Sequence, residues 1–109
     1  MTNKTKPLCA IEASMQLIGG KYKAVIIWHI MRNNVLRYSE IRKRIPHATD
    51  KMLAQQLREL EADGLLHKTI YPVVPPKTEY RLTEFGQSLA QILNLLDNWG
   101  EVYLKERYN

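Results

Sequence analysis

The stretch HATDKMLAQQLRELEADGLLHKTIYPVVPPKTEYRLTEFG, residues 47–86, decides the predicted fold of this chain. Thr49 is a favourable N-cap, and Gly64 fits the left-handed position that ends many helices. Between them, three leucines at helical spacing are expected to face the core: Leu53, Leu57 and Leu60. The pattern predicts an amphipathic helix over residues 49–63.

A proline-containing hairpin is predicted directly after this helix. Residues 65–71 alternate between two faces, as in a half-buried strand, and residues 78–82 provide an antiparallel partner. Prolines cannot donate a ladder hydrogen bond. The prolines of the intervening segment therefore belong to the connection and not to the sheet: Pro72, Pro75 and Pro76.

The remaining elements are mostly helices. In chain order they are a helix over 11–17 ended by Gly19-Gly20, a helix over 21–32, a minute strand over 35–37, a helix over 40–44 and a helix over about 83–107. Ser39 is placed as the N-cap of the third helix, and Thr83 as that of the last. Helical spacing turns five residues of the second helix inward: Tyr22, Val25, Ile26, Ile30 and Met31.

This order of elements predicts an α+β, mainly α, winged helix-turn-helix DNA-binding domain. The whole chain, residues 1–109, is expected to form one such domain, since its length suits a single modest core. The helix-turn-helix would occupy residues 38–63 approximately. The hairpin over about 65–82 would be the wing.

Composition and charge fit this interpretation. The net charge is +5, and it is unevenly distributed: residues 1–58 carry +8, whereas residues 59–109 carry −3. A basic front favours a polyanionic partner, although an incidental solubility bias would give the same total. The longest apolar run, residues 24–31, is too short to cross a bilayer, and no secretory signal is evident, so a cytoplasmic protein is expected.

The outward face of helix 49–63 carries the predicted base contacts. Gln suits adenine and Arg suits guanine in the major groove, and Gln55 and Arg58 lie three residues apart. Thr49 and Lys51 at the helix start, and Ala54 beside them, complete the predicted recognition surface. The alternative is a solvated helix face without a partner.

Phosphate contacts require hydrogen-bond donors and not base specificity. The candidates are Lys21, Lys23, Arg37, Tyr38, Ser39 and Arg42. In the wing, Pro75, Pro76 and Lys77 form a stiff loop with one cation, which suits a minor groove or its flanking phosphate. Exposed charges that serve only solubility, and a simple hairpin loop, are the alternatives.

The C-terminal helix carries an apolar seam at heptad-like spacing. Its members are Phe85, Leu89, Ile92, Leu96, Trp99 and Tyr103. One helix at the edge of a small domain cannot bury all of this surface on its own core, so a second copy of the chain is predicted to cover it. The alternative is a helix packed entirely on its own domain.

No catalytic residue, metal site or cofactor is predicted. His29, His47 and His67 have neither short mutual spacing nor a paired cysteine, and no glycine-rich phosphate loop is present. The single cysteine, Cys9, excludes an internal disulfide. It lies beside the first helix and near Lys4 and Lys6, where a thiol is prone to oxidation. An unreactive, partly buried thiol is the alternative.

Several segments together resemble one family. The segments CAIEASMQLIGGKYKAVII, RYSEIRKRIP, KMLAQQLRELEADGLL, YPVVPPKTEYRLTEFGQSL and NWGE are similar to the HxlR family of bacterial winged-helix regulators, distant relatives of the MarR type. The resemblance extends from Cys9 to Glu101. It implies a homodimeric transcription factor whose N- and C-terminal helices build the dimer and whose helix 49–63 enters the major groove.

The resemblance also bears on Cys9, since some family members sense electrophiles or oxidants through an N-terminal cysteine at this place. Ala10 stands where many members have proline, and Tyr22 where many have tryptophan. The first departure leaves the local geometry at Cys9 open, and the second is a mild aromatic exchange.

The sequence therefore predicts a homodimeric, sequence-specific regulator that binds double-stranded DNA and is not an enzyme. Three alternatives stay open: a redox or electrophile switch through Cys9, a winged-helix module that contacts only proteins, and a sensor of a small molecule. The DNA site, the regulated genes and the nature of any effector cannot be read from the residues.

Overall fold

The computed structural model describes residues 5–108, and its elements follow the predicted order with one exception near the C-terminus. The elements are α1 (Ala10–Ile18), α2 (Lys23–Asn33), β1 (Leu36–Arg37), α3 (Tyr38–Arg44), α4 (Asp50–Ala62), β2 (Leu66–Tyr71), β3 (Lys77–Leu82), α5 (Glu84–Gln87) and α6 (Ala90–Tyr108). This mainly helical chain with a small antiparallel sheet confirms the predicted winged helix-turn-helix architecture.

Helix α4 begins and ends where the sequence predicts. Thr49 Oγ1 accepts a hydrogen bond from the Met52 backbone N–H at 3.1 Å, which satisfies one free amide of the first turn. At the other end Gly64 has a φ of 79°, and the Leu65 N–H donates to the Leu60 carbonyl at 2.9 Å. This left-handed C-cap turns the chain sharply out of the helix and into β2.

The core lies where α2, α3 and α4 meet the sheet. The largest completely buried side chains are Ile26, Ile27, Ile30, Leu36, Ile41, Leu53, Leu57, Leu60 and Leu65. The leucine stripe of α4 is thus confirmed, but the inward set predicted for α2 is partly wrong. Val25 is 43% exposed and Ile27 is buried, because the elements that enclose α2 cover the side with Ile27, whereas Val25 lines an open groove toward α6.

The sheet has the strand order β1-β3-β2, and both pairings are antiparallel. Leu36 of β1 pairs with Tyr80, and Tyr71 at the end of β2 pairs with Lys77 at the start of β3. The three prolines of the hairpin lie in the connection over residues 72–76, as predicted. β1 therefore fixes the base of the wing to the segment that leads into α3.

The predicted N-cap of α3 is wrong by two residues. The helix begins at Tyr38 with Arg37 as its N-cap, and the Arg37 backbone N–H donates to the Glu40 carboxylate at 2.8 Å. This bond forms because Glu40 then stands at the third helical position, where a carboxylate reaches back to the cap. Ser39 consequently lies inside the first turn with an exposed side chain.

The single C-terminal helix predicted over 83–107 is two helices, α5 and α6, separated at residues 88–89. Thr83 does cap α5, since its Oγ1 accepts the Gly86 N–H at 3.0 Å. The chain leaves α5 through tightened bonds: the Ser88 N–H donates to the Glu84 and Phe85 carbonyls, and the Ser88 hydroxyl donates to the Phe85 carbonyl. The Leu89 N–H likewise donates to the Gly86 carbonyl, three residues earlier, so the hydrogen-bond spacing tightens between α5 and α6.

A compact junction connects α4, the wing and α5. The Thr83 hydroxyl donates to the Gly64 carbonyl, and the Thr83 N–H donates to the Leu65 carbonyl at 3.1 Å. Gly86 is buried at this point, and a side chain there would overlap the Leu65 carbonyl oxygen. The end of α4, the base of the wing and α5 are thereby held together by hydrogen bonds of Thr83 and by the close approach of Gly86 to the Leu65 backbone.

Candidate nucleic-acid interface

The polar face of α4 is exposed because its apolar stripe is buried. Lys51, Gln55 and Arg58 are exposed, and Ala54 is half-buried beside them. In the part of the chain that the structure describes, the side chains of Gln55 and Arg58 form no hydrogen bond or ion pair. An amide and a guanidinium are therefore presented side by side to whatever meets this face.

A network that the sequence did not reveal connects α3 to the start of α4. The Tyr38 hydroxyl donates to Asp50 Oδ1 at 3.1 Å, and Arg42 Nε donates to the same oxygen at 2.7 Å. A second guanidinium nitrogen of Arg42 donates to the Ile45 carbonyl at 3.1 Å. Arg42 and Tyr38 were predicted as phosphate contacts, and the network fixes both at the helix-turn-helix; no local sequence signal joins residues 42 and 50.

The network also sets the charge state of its members. The hydrogen bond from Arg42, and next that from Tyr38, hold the pKa of the Asp50 carboxyl below its ordinary value. Burial, and next the hydrogen bond to Asp50, raise the pKa of the Tyr38 hydroxyl. Asp50 thus stays ionised and Tyr38 neutral near pH 7, which keeps the donor–acceptor pattern of the network intact.

Lys23 is not available to a phosphate. Its side chain is buried, with only 4% of the residue exposed, and its Nζ lies 2.6 Å from Glu59 Oε1 of α4. The prediction that Lys23 is a surface phosphate contact is wrong, because this ion pair turns its ammonium into the protein. By contrast Lys21, two residues earlier, is exposed and lies over the Tyr22 ring at 5.5 Å.

An open cleft separates the start of α3 from the wing. Arg37, Tyr38 and Ser39 line one side, and residues 73–78 line the other. The fold therefore brings together two groups of predicted contacts, the phosphate candidates of α3 and the prolines of the wing, that lie far apart in sequence. Val74 at the tip of the wing is fully exposed.

The wing cation is held back from the tip. Lys77 is the first residue of β3, and its Nζ lies 3.2 Å from Glu79 Oε2 and 5.1 Å from the centre of the Tyr71 ring. The hydrogen bond from Lys77 is the main reason why the pKa of Glu79 lies below its ordinary value. Lys77 is thus positioned along the strand, with part of its charge balanced by Glu79.

The predicted seam of the C-terminal segment is largely uncovered. Five of its members are exposed and one, Leu89, is half-buried; the exposed ones are Phe85, Ile92, Leu96, Trp99 and Tyr103. The buried side chain of α6 is Leu93, which the seam did not include. Helix α1 carries further exposed apolar residues, namely Leu8 just before it, Ile11 and Met15.

Cys9 is exposed and occupies the N-cap position of α1. The neighbouring Leu8 N–H donates to the Glu12 carboxylate at 3.0 Å, which fixes the first turn. Lys6 is exposed nearby, whereas Lys4 lies outside the described residues. The prediction of a partly buried thiol as the alternative does not agree with this exposure.

The described residues offer neither a metal site nor a membrane span. Within residues 5–108, no group of three or more His, Cys, Asp and Glu side chains is arranged to hold a metal ion. Over the same residues, none of the helices combines the length and the apolar character required for a membrane span.

The geometry defines the class of the protein. Helices α3 and α4, joined by the turn over residues 45–49, form a helix-turn-helix, and β2 and β3 form a wing beside it. This is the arrangement of a winged helix-turn-helix transcriptional regulator.

Comparison with known proteins gives the family. A family model described as HxlR-like helix-turn-helix matches residues 17–108, and the chain belongs to this family. The HTH-type transcriptional regulator YtcD of Bacillus subtilis strain 168 is 46% identical over 105 residues, which cover 96% of this chain and 82% of YtcD.

Solved structures extend the similarity to redox regulators. The redox regulator HypR in its oxidised form is 46% identical, with a TM-score of 0.81 and coverage of 86% of this chain and 96% of HypR. The reduced form of the transcriptional regulator YodB from Bacillus subtilis is 31% identical, with a TM-score of 0.71 and coverage of 87% of this chain and 93% of YodB.

Proposed function

We propose that this protein is a cytoplasmic, homodimeric transcriptional regulator that binds double-stranded DNA with sequence specificity. The observation that carries the proposal is the exposed pair Gln55 and Arg58 on α4, the second helix of the helix-turn-helix. Neither side chain forms a hydrogen bond or an ion pair within the described residues, and both suit hydrogen bonding to base edges in the major groove.

Contacts to the DNA backbone would surround this pair. Lys51 at the start of α4, and Arg37 and Ser39 at the start of α3, are exposed on the elements that meet at the turn. Such contacts set the orientation of the protein on the duplex, whereas base contacts set its sequence preference. The cleft between α3 and the wing gives room for a phosphate backbone to pass.

The dimer is proposed from the uncovered apolar face of α6. Exposed aromatic and aliphatic side chains, of which Trp99 is 72% exposed, follow one another along this helix. A second copy would bury them by two-fold packing. Two copies would then present two recognition helices to half-sites about one helical turn apart, roughly 34 Å.

The decisive experiment measures binding to DNA as a function of salt. A duplex is first selected from a random-sequence library with the purified wild-type protein, and its dissociation constant is then compared with that of a scrambled duplex. We expect tighter binding to the selected duplex and a linear fall of log affinity with log salt. Equal affinity for both duplexes would reject sequence specificity. Absence of binding in dilute buffer would instead favour a module that contacts only proteins.

A second candidate function is redox sensing through Cys9. Its thiol is exposed at the start of α1, and two of the similar solved structures are described as redox regulators or as reduced forms of a regulator. Because the chain has one cysteine, oxidation would join it to another chain or to a small thiol. Each such bond forms when two thiols lose two protons and two electrons to the oxidant.

The redox candidate is tested by titrating the wild-type protein and Cys9→Ser with hypochlorite or a quinone. We expect the affinity of the wild type for its selected duplex to change, and that of Cys9→Ser to stay constant. Non-reducing electrophoresis and intact mass would show which species forms. An unchanged wild type would remove the redox function and leave DNA binding unaffected.

A further inference from the structure

The side of α4 next to its predicted DNA-reading face is fixed to α2 by polar contacts. Lys23 is the first residue of α2, and its Nζ lies 2.6 Å from Glu59 Oε1. Gln56, three residues before Glu59 and therefore on the same flank of α4, is 5% exposed, and its Oε1 accepts the Tyr22 backbone N–H at 3.3 Å. Two neighbouring side chains of α4 thus reach the start of α2.

Stability alone is a poor reason for a lysine at this position. An ammonium at the N-terminus of a helix is opposed by the helix dipole. Its burial also costs desolvation energy, which an ion pair often does no more than offset, so that apolar replacements of buried pairs are frequently neutral or stabilising. Lys23 accepts both penalties, although a leucine or methionine would fill the same space.

The polar contacts restrict the rotation of α4 about its axis more tightly than its apolar stripe does. Packing of Leu53, Leu57 and Leu60 is favourable over a range of orientations, because the hydrophobic effect is non-directional. Hydrogen bonds and close ion pairs weaken steeply when the angle or the distance changes. The leucines therefore hold α4 on the domain, and the polar contacts restrict its rotation.

A glycine keeps the space in which these contacts form. A Cβ at Gly20 would overlap the Oε1 of Gln56 and the methylenes of Lys23. Any larger residue at position 20 would displace both side chains from their partners. The Gly-Lys segment between α1 and α2 thus has a steric role that is tied to α4.

Rotation of α4 matters because the anchored residues alternate with the reading residues. Gln56 follows Gln55, and Glu59 follows Arg58. A rotation of about 10° moves a side chain roughly 6 Å from the helix axis by about 1 Å. Hydrogen bonds to base edges tolerate only a few tenths of an ångström. An error of this size would misalign Gln55 and Arg58 together.

We propose that Lys23, Gln56 and Glu59 form a polar clamp that sets the rotation of α4 and so aims Gln55 and Arg58 at the bases. These three are positioning residues; they touch no DNA. The inference rests on the proposed function, since it concerns how the same surface achieves specificity.

The main test is the charge-neutral double variant Lys23→Met/Glu59→Gln. We expect it to unfold in urea at the wild-type midpoint or above, because the desolvated pair is gone. Its affinity for the selected duplex should fall about tenfold, roughly the worth of one bidentate base contact, while its affinity for scrambled DNA stays at the wild-type level. The salt dependence should not change, because Lys23 contacts no phosphate.

A second variant, Gln56→Leu, removes the other arm of the clamp and leaves the ion pair in place. It should lose affinity for the selected duplex with no loss on scrambled DNA, and it serves if the double variant does not fold. The matched control is Glu101→Gln/Lys105→Met, which removes the same two charges from an exposed face of α6. The ratio of its affinity for the selected duplex to its affinity for the scrambled duplex should equal that of the wild type.

Each outcome bears on a separate claim. A folded double variant, or a folded Gln56→Leu, that keeps the wild-type ratio of affinities would overturn the clamp. Parallel loss on both duplexes, with a shallower salt dependence, would do the same and would identify Lys23 as a phosphate contact. A wild-type protein that binds no duplex would reject the proposed function itself.

Discussion

Helices α4 and α6 each carry an apolar stripe, but the two stripes have opposite surroundings. Helix α4 has 13 residues and buries four side chains, so that its polar face is the one left for a partner. Helix α6 has 19 residues and buries Leu93, while most of its apolar stripe faces outward. The face that a helix leaves uncovered, polar in α4 and apolar in α6, thus indicates what kind of partner the helix meets.

The largest effect is expected when a charge is placed in the apolar stripe of α6. Leu96→Glu should convert the proposed dimer to monomers, because a carboxylate cannot be buried unpaired in an apolar interface. Affinity for the selected duplex should fall about 10²–10⁴-fold when the recognition helices of the two copies are no longer linked to each other. Sedimentation velocity and fluorescence anisotropy measure the two effects. Asn94→Glu, on the opposite and exposed face, is the control, and a persistent Leu96→Glu dimer would refute the seam.

A matched pair of truncations compares the two stripes directly. Leu57→Ala should lower the free energy of unfolding by about 2–5 kcal/mol, since Leu57 is buried in the core. Leu96→Ala should change it by less than about 0.5 kcal/mol in protein dilute enough to be monomeric, because Leu96 is half exposed there. Urea denaturation gives both values. Similar losses in the two variants would contradict the contrast.

On the polar side, Arg58→Ala tests whether α4 reads bases. It should cost about 1–3 kcal/mol at the selected duplex and relax the preference at one base pair. A second selection with the variant protein would reveal that position. Lys105→Ala, which removes a charge from the last turn of α6, should leave the affinity and the preference unchanged. Uniform weakening by Arg58→Ala on all sequences would show that Arg58 contacts only phosphate.

A smaller effect is expected in the wing. Lys77→Ala should weaken binding to all sequences to a similar degree, and the slope of log affinity against log salt should become shallower by about one unit. Partial neutralisation by Glu79 makes this loss smaller than that of an unpaired contact. A change in preference at one base pair would mean that the wing reads sequence.

The smallest effect concerns α2, which lies between the two compared helices. Burial, and next the charge of Arg44, hold the pKa of His29 below its ordinary value of 6.5. The folded state therefore favours neutral His29, so its contribution to stability is complete above pH 6.5 and is lost as the pH falls below that value. His29→Gln should flatten the decrease in unfolding free energy between pH 7.5 and pH 5.5, about one unit to either side of the ordinary pKa. An equal decrease in both proteins would remove His29 as its source.

The sequence predicted elements whose ends carry local signals. Thr49 and Gly64 mark the limits of α4 because capping depends on residues within one turn of the helix. The predicted start of α3 is wrong because Ser39 is a good cap in isolation, whereas the hydrogen bond that the Arg37 N–H donates to the Glu40 carboxylate decides the true start. Competition between two local signals cannot be resolved without the fold.

Predictions that depend on contacts distant in sequence were less successful. The sequence predicts Lys23 as a basic surface residue, because no residue near it indicates the ion pair with Glu59, 36 positions later. The hydrogen bonds from Tyr38 and Arg42 to Asp50 could not be predicted either, because no local sequence signal joins these residues. Periodicity showed that α6 has an apolar stripe, but it could not show that Leu93, and not the seam, would be enclosed. The predicted base contacts stay predictions.

The junction of Gly64, Thr83 and Gly86 has a mechanical consequence. It joins the recognition helix, the wing and α5 through hydrogen bonds of the Thr83 hydroxyl and backbone N–H, and the chain then reaches α6 through residues 88–89. We expect any movement of α6 relative to the helix-turn-helix and wing of the same chain to occur at residues 88–89, which would act as a hinge. An effector that acts on α6 would then alter the distance and angle between the two helix-turn-helix units of a dimer, and each unit would keep its shape.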